Sequence, residues 1–412
     1  MKKSNWLTTA LLMLLAAAVA TVITYDISIH RFNSKMEDYA ELEDDYEKFS
    51  EIMYIIENNY IGEYNKDVLM DSAMAGLVDG LGDVWSYYMT EDEYESYQAS
   101  TNNSYVGIGI SSVYDVSSGD ILIKEVFSSS PADNAGIVPF DRILAVNGAN
   151  VADSGYDVAA ASIRGEVGGE VSLTIYRSST GQTFDVKIIR QEYRADLVKS
   201  QVLSGNIGYM KIRNFDTNVD KVFTEALNNL KEAKVSGIVF DVRDNPGGSL
   251  TMLMNILDQL LPEGTMLKQE YKDGSTKEYT SDAACIDIPM VVLINGQSYS
   301  AAEFFAAALS EYGVAQLVGD QTTGKGYAQV PVALKDGSAM VLSTSRYYTP
   351  NGLNLAGTGL TPHVSMNLTE SELVANSLKS VADDAYVKKG VEQVKAMIAD
   401  REATAAKGES QD

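Results

Sequence analysis

The chain of 412 residues contains one cysteine, Cys285, and two histidines, His30 and His363. A single thiol excludes an intramolecular disulfide and leaves no cysteine set for zinc, so Cys285 reads as a structural residue. Two histidines leave a Ser-His-Asp arrangement little to draw on. His30 stands beside an N-terminal apolar segment, a poor place for the partner of a catalytic serine. His363, near the end of the last strand-like region, stays open as a triad member. Positive charge is scarce as well: 32 Lys+Arg against 57 Asp+Glu leaves a formal charge of −25. That balance offers no basic face to nucleic acid and suits a soluble body facing water. Hydrophobic residues make up 45% of the chain, enough for ordinary cores, and the length suits roughly two or three domains.

One stretch does lack charge altogether. Lys2 and Lys3 precede an uncharged apolar run from Leu7 to Ile23, long for a signal peptide and just long enough to span a bilayer. Ala18-Val19-Ala20 has the look of a cleavage site but lies inside the run. The reading favoured is an uncleaved signal anchor over residues 1–34, with the body outside the cytoplasm by the positive-inside rule. Cleavage would make the protein secreted.

Residues 35–100 carry apolar and aromatic residues at helical spacing with acidic residues between them, and read as an N-terminal helical region. The aromatic cluster around Trp85 reads as a packing knot. From 101 to 193 the pattern changes to short strands between Gly, Ser and Asn turns, with two helical pieces. Gly107-Ile108-Gly109-Ile110, Pro131-Ala132 with Ala135-Gly136-Ile137, and Asp141 to Gly148 together resemble a PDZ domain. Such a glycine loop turns N–H groups toward a peptide's terminal carboxylate, while the adjacent strand edge takes the peptide by β-augmentation. Val138-Pro139-Phe140 departs from the basic-Pro-Gly usual there, so that loop is expected to be shaped differently.

Residues 194–368 begin with a βαβ pattern, strand IGYMKIRNF, helix from Val219 and buried strand GIVFDVR, followed by Asp244-Asn245-Pro246-Gly247-Gly248 and another helix. Gly-Gly between strand and helix lets backbone approach a ligand closely. Pro289 to Asn295 is a further buried strand, Gly296 to Ser300 a turn, and Ala301 onward an Ala-rich helix with Glu303 in its first turn, the sign the macrodipole favours. Ser300 is thus placed at a helix start. It is either an ordinary N-cap or an exposed nucleophile with free N–H groups beside it. GDQTTGKG (319–326) follows the pattern G-x-x-x-x-G-K-S/T up to its last position, where Gly326 replaces the hydroxyl residue. Strands follow it as well, so it is not read as a phosphate loop. Residues 369–412 are helical again, ending in a polar tail.

DVRDNPGG (241–248), NGQSYSAAEFFAAAL (295–309), GDQTTGKGYAQ (319–329) and YYTPNG (347–352), with the PDZ-like segment, resemble the carboxyl-terminal processing peptidases of the S41 serine peptidase family. The resemblance implies an α+β multidomain fold, with a PDZ domain inserted between an N-terminal helical part and an α/β peptidase core. It implies Ser300 as nucleophile, Lys325 as general base and Gln329 as the residue orienting that lysine. An oxyanion hole is expected from the N–H groups of Ala301 and of Gly247 or Gly248. Gly107 to Ile110 would bind substrate, and Arg164 would couple the PDZ domain to the core. Glu311 stands where some members carry an acidic residue, but is not the Asp they use, which leaves its role in doubt. Elementary chemistry agrees on the base: a serine hydroxyl needs a proton acceptor, and a lysine serves once burial lowers its pKa. A neutral glutamine holds the amine without raising that pKa.

The expected activity is extracytoplasmic serine endopeptidase cleavage of proteins from their C-terminal tails, with no metal or cofactor. The expected partners are peptide C-termini and, through the N-terminal segment, the membrane. The terminal helices either build a homodimer, as in relatives, or pack on the core. The alternative function is a catalytically silent PDZ scaffold at the cell surface, which the presence of all of Ser300, Lys325 and Gln329 disfavours.

Overall fold

The computed structural model describes residues 46–408. The run Leu7–Ile23, and with it the expected anchor and His30, lies outside them. Among the described residues no helix is long and apolar enough to cross a membrane. The chain divides into two compact units, one ending at Ala73 and one beginning at Met74. In the first, residues 46–59 are helical and a second helix, Lys66–Asp79, begins.

The second unit holds the PDZ-like segment and the core. Its first strand, Tyr87–Met89, runs antiparallel to the long strand Ala339–Tyr348. The helix Glu91–Thr101 follows, started by a reciprocal cap between Thr90 and Glu93. In the PDZ segment five antiparallel strands lie in chain order: Ile110–Asp115, Asp120–Val126, Asp141–Val146, Glu170–Arg177 and Gln182–Ile189. A two-stranded ribbon, Tyr105–Gly107 with Gln191–Tyr193, closes the segment where it leaves the core. Phe140 stands at φ 71, the left-handed conformation that glycine adopts most cheaply. The backbone demand of that turn therefore survives the loss of glycine.

The core is a six-stranded sheet in the order Val198–Leu203, Ile207–Ile212, Gly237–Asp241, Met290–Ile294, Ala315–Gly319, Val364–Ser365. The first pair is antiparallel and the rest are parallel. Helices cover both faces, which explains why Met290–Ile294 is apolar throughout and buried at every position. On one face Val219–Glu232 turns Phe223, Leu227 and Leu230 inward. There Phe240 meets Phe305 edge-on with centroids 5.4 Å apart. Ala301–Glu311 is buried at every residue from Ala301 to Leu309, and small alanine side chains let a helix sit that close to its neighbours. On the other face Tyr386, Val387 and Val394 of the helix Ala385–Gly408 pack on Val239, Val291 and Leu293. Packing on the core, the second of the two alternatives, is what the C-terminal helix does.

A second, five-stranded antiparallel sheet contains Tyr87–Met89, Ala339–Tyr348, Gly264–Tyr271, Thr276–Ser281 and Tyr327–Ala333. It brings the segment around Trp85 and the loop around Lys325 to the same side of the nucleophile turn.

Candidate active site

Ser300 begins its helix with φ 57 and ψ −126, a conformation that costs a non-glycine residue on the order of 1–3 kcal/mol and persists only when its surroundings hold it. They do so through Glu303, which is fully buried. One carboxylate oxygen of Glu303 accepts the N–H groups of Ser300 at 3.0 Å and Lys325 at 2.8 Å. The other accepts the N–H of Gly324 at 2.8 Å and the hydroxyl of Thr322. Burial pushes the Glu303 carboxyl up, against those hydrogen bonds. This one side chain therefore ties the Ser300 turn to the Lys325 loop. From the sequence only its sign at a helix start was visible.

The turn is also tied to the loop after the strand Gly237–Asp241. Asn295 and Asp244 bond each other twice, at 3.0 and 2.8 Å, and Ser298 Oγ donates to the Val242 carbonyl at 2.7 Å. Tyr299 N–H reaches the Asn245 carbonyl at 3.2 Å. A Cβ on Gly247 would stand 2.8 Å from Ser300 Cβ, and one on Gly248 would stand 2.6 Å from the Phe215 backbone, so both positions need glycine. The N–H of Gly247 is spent on Asn245 Oδ1 at 2.8 Å. Of the two glycines expected as alternatives, this leaves Gly248. Among the described residues nothing accepts from the N–H groups of Gly248 and Ala301, which flank the nucleophile and remain as donors.

Ser300, Lys325, Gln329, Gly247 and Gly248 line one cleft of about 790 Å³. The Lys325 amine lies 4.6 Å from the ring centre of Trp85 and 5.7 Å from that of Tyr299. Burial pushes it down to about 8, while the charges of Asp83 and Glu303 pull it back up. Trp85 thus covers the Lys325 amine and is not only a packing knot. Asp83 accepts from the Ser86 hydroxyl at 2.6 Å and the Trp85 N–H at 3.1 Å. Burial opposes its charge, but hydrogen bonds from Ser343, Ser86 and Trp85 and the Lys325 charge hold its carboxyl below the ordinary value. Gln329 lines the cleft but donates to Ser343 Oγ at 2.9 Å, not to Lys325. Ser343 in turn donates its N–H to Ser86 Oγ at 3.0 Å. No hydrogen bond joins the Lys325 amine to Ser300 among the described residues. The side chains are gathered but not engaged.

Other expected residues lie elsewhere. His363 Nδ1 accepts the Leu317 N–H at 2.9 Å, so its ring completes the sheet edge and is no part of the cleft lining. Glu311 accepts the Asn351 N–H at 2.7 Å and anchors the turn of YYTPNG. In the PDZ segment Ile108 and Gly109 hold their carbonyls to Ala132 N–H at 2.8 Å and Phe127 N–H at 3.0 Å. Arg164 is exposed and forms no ion pair among the described residues. Between the PDZ segment and the core, Arg213 pairs with Glu125 and lies 4.8 Å over the Phe127 ring, and Ser128 bonds Asp196.

Beneath the site Asp241 accepts Arg243 at 2.9 and 2.6 Å and Tyr209 at 2.8 Å. Arg243 also reaches Asp384 at 3.1 Å, which pins the approach to the C-terminal helix under the loop. Asp241 is fully buried; burial pushes its carboxyl up, but the charge and hydrogen bonds of Arg243, the Lys211 charge and the Tyr209 hydroxyl together hold it at about 2.

Comparisons with known proteins agree with this geometry. Residues 206–366 match the family model of peptidase family S41, residues 104–188 that of the PDZ domain, and residues 13–93 that of the activating protease CtpB N-terminal domain. The carboxy-terminal processing protease CtpA of Bacillus subtilis is 30% identical over 361 residues, 87% of this chain and 77% of that protein. CtpB of the same organism is 31% identical over 325 residues, 78% of this chain and 67% of that protein. A putative S41 protease from Bacteroides fragilis shares the fold, with a TM-score of 0.58 at 17% identity over 82% of this chain and 99% of that one.

Proposed function

The chain belongs to the carboxy-terminal processing serine proteases of peptidase family S41, and from that premise we propose that it cleaves protein tails by a Ser–Lys acyl-enzyme mechanism. The observation that carries the reading is that Ser300 and Lys325 open on one cleft while Glu303 holds the backbone of both. A lysine amine with a pKa near 8 has an appreciable neutral fraction at ordinary pH. In the reaction the neutral amine leaves its seat between Trp85 and Tyr299 and takes the proton of Ser300 Oγ. The oxygen attacks the scissile carbonyl, and the oxyanion accepts from the N–H groups of Gly248 and Ala301. The proton then passes from Lys325 to the leaving amine. Water, deprotonated by Lys325, attacks the acyl-enzyme, and Lys325 returns that proton to Ser300 Oγ as the new C-terminal acid leaves. Gln329 exchanges Ser343 for the amine when the dyad engages.

Substrates are bound by their C-termini on the PDZ segment, whose loop Gly107 to Ile110 is the reading's carboxylate site. Lys2, Lys3 and the run Leu7–Ile23 support anchoring in a membrane with the body outside the cytoplasm. The deciding experiment compares the purified protein with Ser300→Ala on an unstructured protein substrate. The expected result is a loss of cleavage of about ten-thousandfold or more. Equal degradation by both proteins sinks the reading.

A further inference from the structure

At the wall of the cleft where the PDZ ribbon enters, a carboxylate faces open space without a cation. Asp216 lines the cleft, one residue beyond the bridge between Phe215 and Gly248. Paired strands lie about 4.8 Å apart, so Asp216 stands beside the Gly247-Gly248 turn that abuts Ser300. Asn214 is buried, and its side chain holds Asp216 by both its carboxylate and its backbone. Its amide donates to the Asp216 carboxylate, and its oxygen accepts the Asp216 N–H at 3.3 Å. No ion pair of Asp216 occurs among the described residues; the neighbouring cation, Arg213, is turned to Glu125.

Two tyrosines of the same wall share this space. Tyr97 stacks on Tyr94 with centroids 6.3 Å apart, and Tyr105 stacks on Tyr193 at 5.7 Å. Both rings line the cleft with Asp216, and burial pushes both phenols up, with the Asp216 charge adding to it. A half-buried carboxylate between immobilised aromatic rings, with no internal counter-ion, is complementary to a long side chain that ends in a cation. The rings take its stem and part of its charge, and the carboxylate takes the rest. Resting on the peptidase reading above, we propose that Asp216 with Tyr97 and Tyr105 forms a subsite for a basic side chain, lysine or arginine, of the peptide lying in the cleft.

With no cation present, burial raises the Asp216 carboxyl to about 7, against the Asn214 hydrogen bond. The groups facing it are Asn214, Tyr97 and Tyr105, none of them charged near neutrality. The carboxylate is therefore charged above about pH 7, and the preference for a basic residue holds there and fades as pH falls below it.

The test walks a single Lys or Gln through each position on both sides of the cut in unstructured peptides. kcat/KM is measured for each pair. At pH 8 one position is expected to favour Lys over Gln by roughly tenfold, the size of a charge-assisted contact. The ratio should fall to about twofold in Asp216→Asn, and also in the unmodified protein at pH 6. The readout is the ratio at each pH, so loss of the Lys325 base at low pH cancels. The same peptides, dye-labelled, are bound to Ser300→Ala and followed by anisotropy. If the active protein cleaves nothing, the peptidase reading fails, and the Lys-to-Gln affinity ratio still decides the subsite. No position with a basic preference in either assay, or a preference that survives both Asp216→Asn and pH 6, overturns the proposal.

Discussion

Ser300 and Lys325 both hang from Glu303, but what holds them beyond that residue differs. The nucleophile is fixed through its backbone. A left-handed φ of 57, the Glu303 contact and the mutual bonds of Asn295 and Asp244 leave its turn little freedom. All of these groups lie in the core itself. The base has a fixed backbone but a borrowed seat. Its amine rests on Trp85 and Tyr299 and near Asp83, and Asp83 and Trp85 come from a stretch more than two hundred residues earlier in the chain. A serine built in and a lysine held from outside put the adjustable part of the site on the lysine.

The strongest way to break this contrast is to remove what the halves share. Glu303→Ala leaves the N–H groups of Ser300, Gly324 and Lys325 and the Thr322 hydroxyl without their acceptor. Buried groups left unsatisfied cost about 1–3 kcal/mol each, so the thermal midpoint should drop sharply. Glu303→Gln keeps the shape with poorer acceptors. It should fold and lose on the order of a hundred- to a thousandfold in kcat, the loss typical of a mis-set oxyanion region. If Glu303→Gln works at the original rate, the two halves are not joined there.

The contrast is sharpened by acting on the base alone. Lys325 must be neutral to act, so kcat/KM should rise with pH through about 8. Asp83 favours the charged amine, so Asp83→Asn should lower the Lys325 pKa and move that limb to lower pH, by roughly half a unit to one unit. The plateau should drop a few-fold as Trp85 loses its support. A pH profile of both proteins checks this. A limb that stays in place would mean that the 83–86 segment holds Lys325 sterically, without setting its charge.

The unequal construction also explains what the sequence disclosed. The βαβ pattern, the strand before Ser300 and the PDZ strands were legible because local periodicity and turn residues encode them. Ser300, Lys325 and the glycines were legible through short motifs and through the scarcity of histidine. The second role of Trp85 was not, because an aromatic residue among tyrosines has the same local pattern whether it packs in a core or covers a lysine. Only the pairing of Tyr87–Met89 with Ala339–Tyr348 brings it to the site. Glu303 looked like an ordinary first-turn acid, since its partners Gly324 and Lys325 lie across a strand and a loop. The resting contact of Gln329 with Ser343 depends on a register shift between Ala328 and Gln329 that no spacing reveals. Arg164 was the bridge to the PDZ segment that the family resemblance implied; the Arg213 contact with Glu125 and Phe127 had no such motif to announce it.

Arg213 offers the finest test of whether outside control stops at the base. Its guanidinium pairs with Glu125 and covers Phe127, while Lys199 approaches Glu125 at 3.5 Å. The same strand end leads through Asn214 and Phe215 to the bridge with Gly248, a proposed oxyanion donor. If the nucleophile half is self-contained, the Asn245 bonds to the Ile212 carbonyl at 2.9 Å and to the Gly247 N–H at 2.8 Å isolate Gly248 from the PDZ junction. Arg213→Ala should then cut cleavage of a long substrate with a free C-terminus by about fivefold, the scale of one partly exposed ion pair. Cleavage of a short peptide that does not reach the PDZ segment should stay within about twofold, on the same scale. A matching fall for both substrates, with the thermal midpoint unchanged, would carry PDZ control past the lysine to the oxyanion donors and erase the distinction between the two halves.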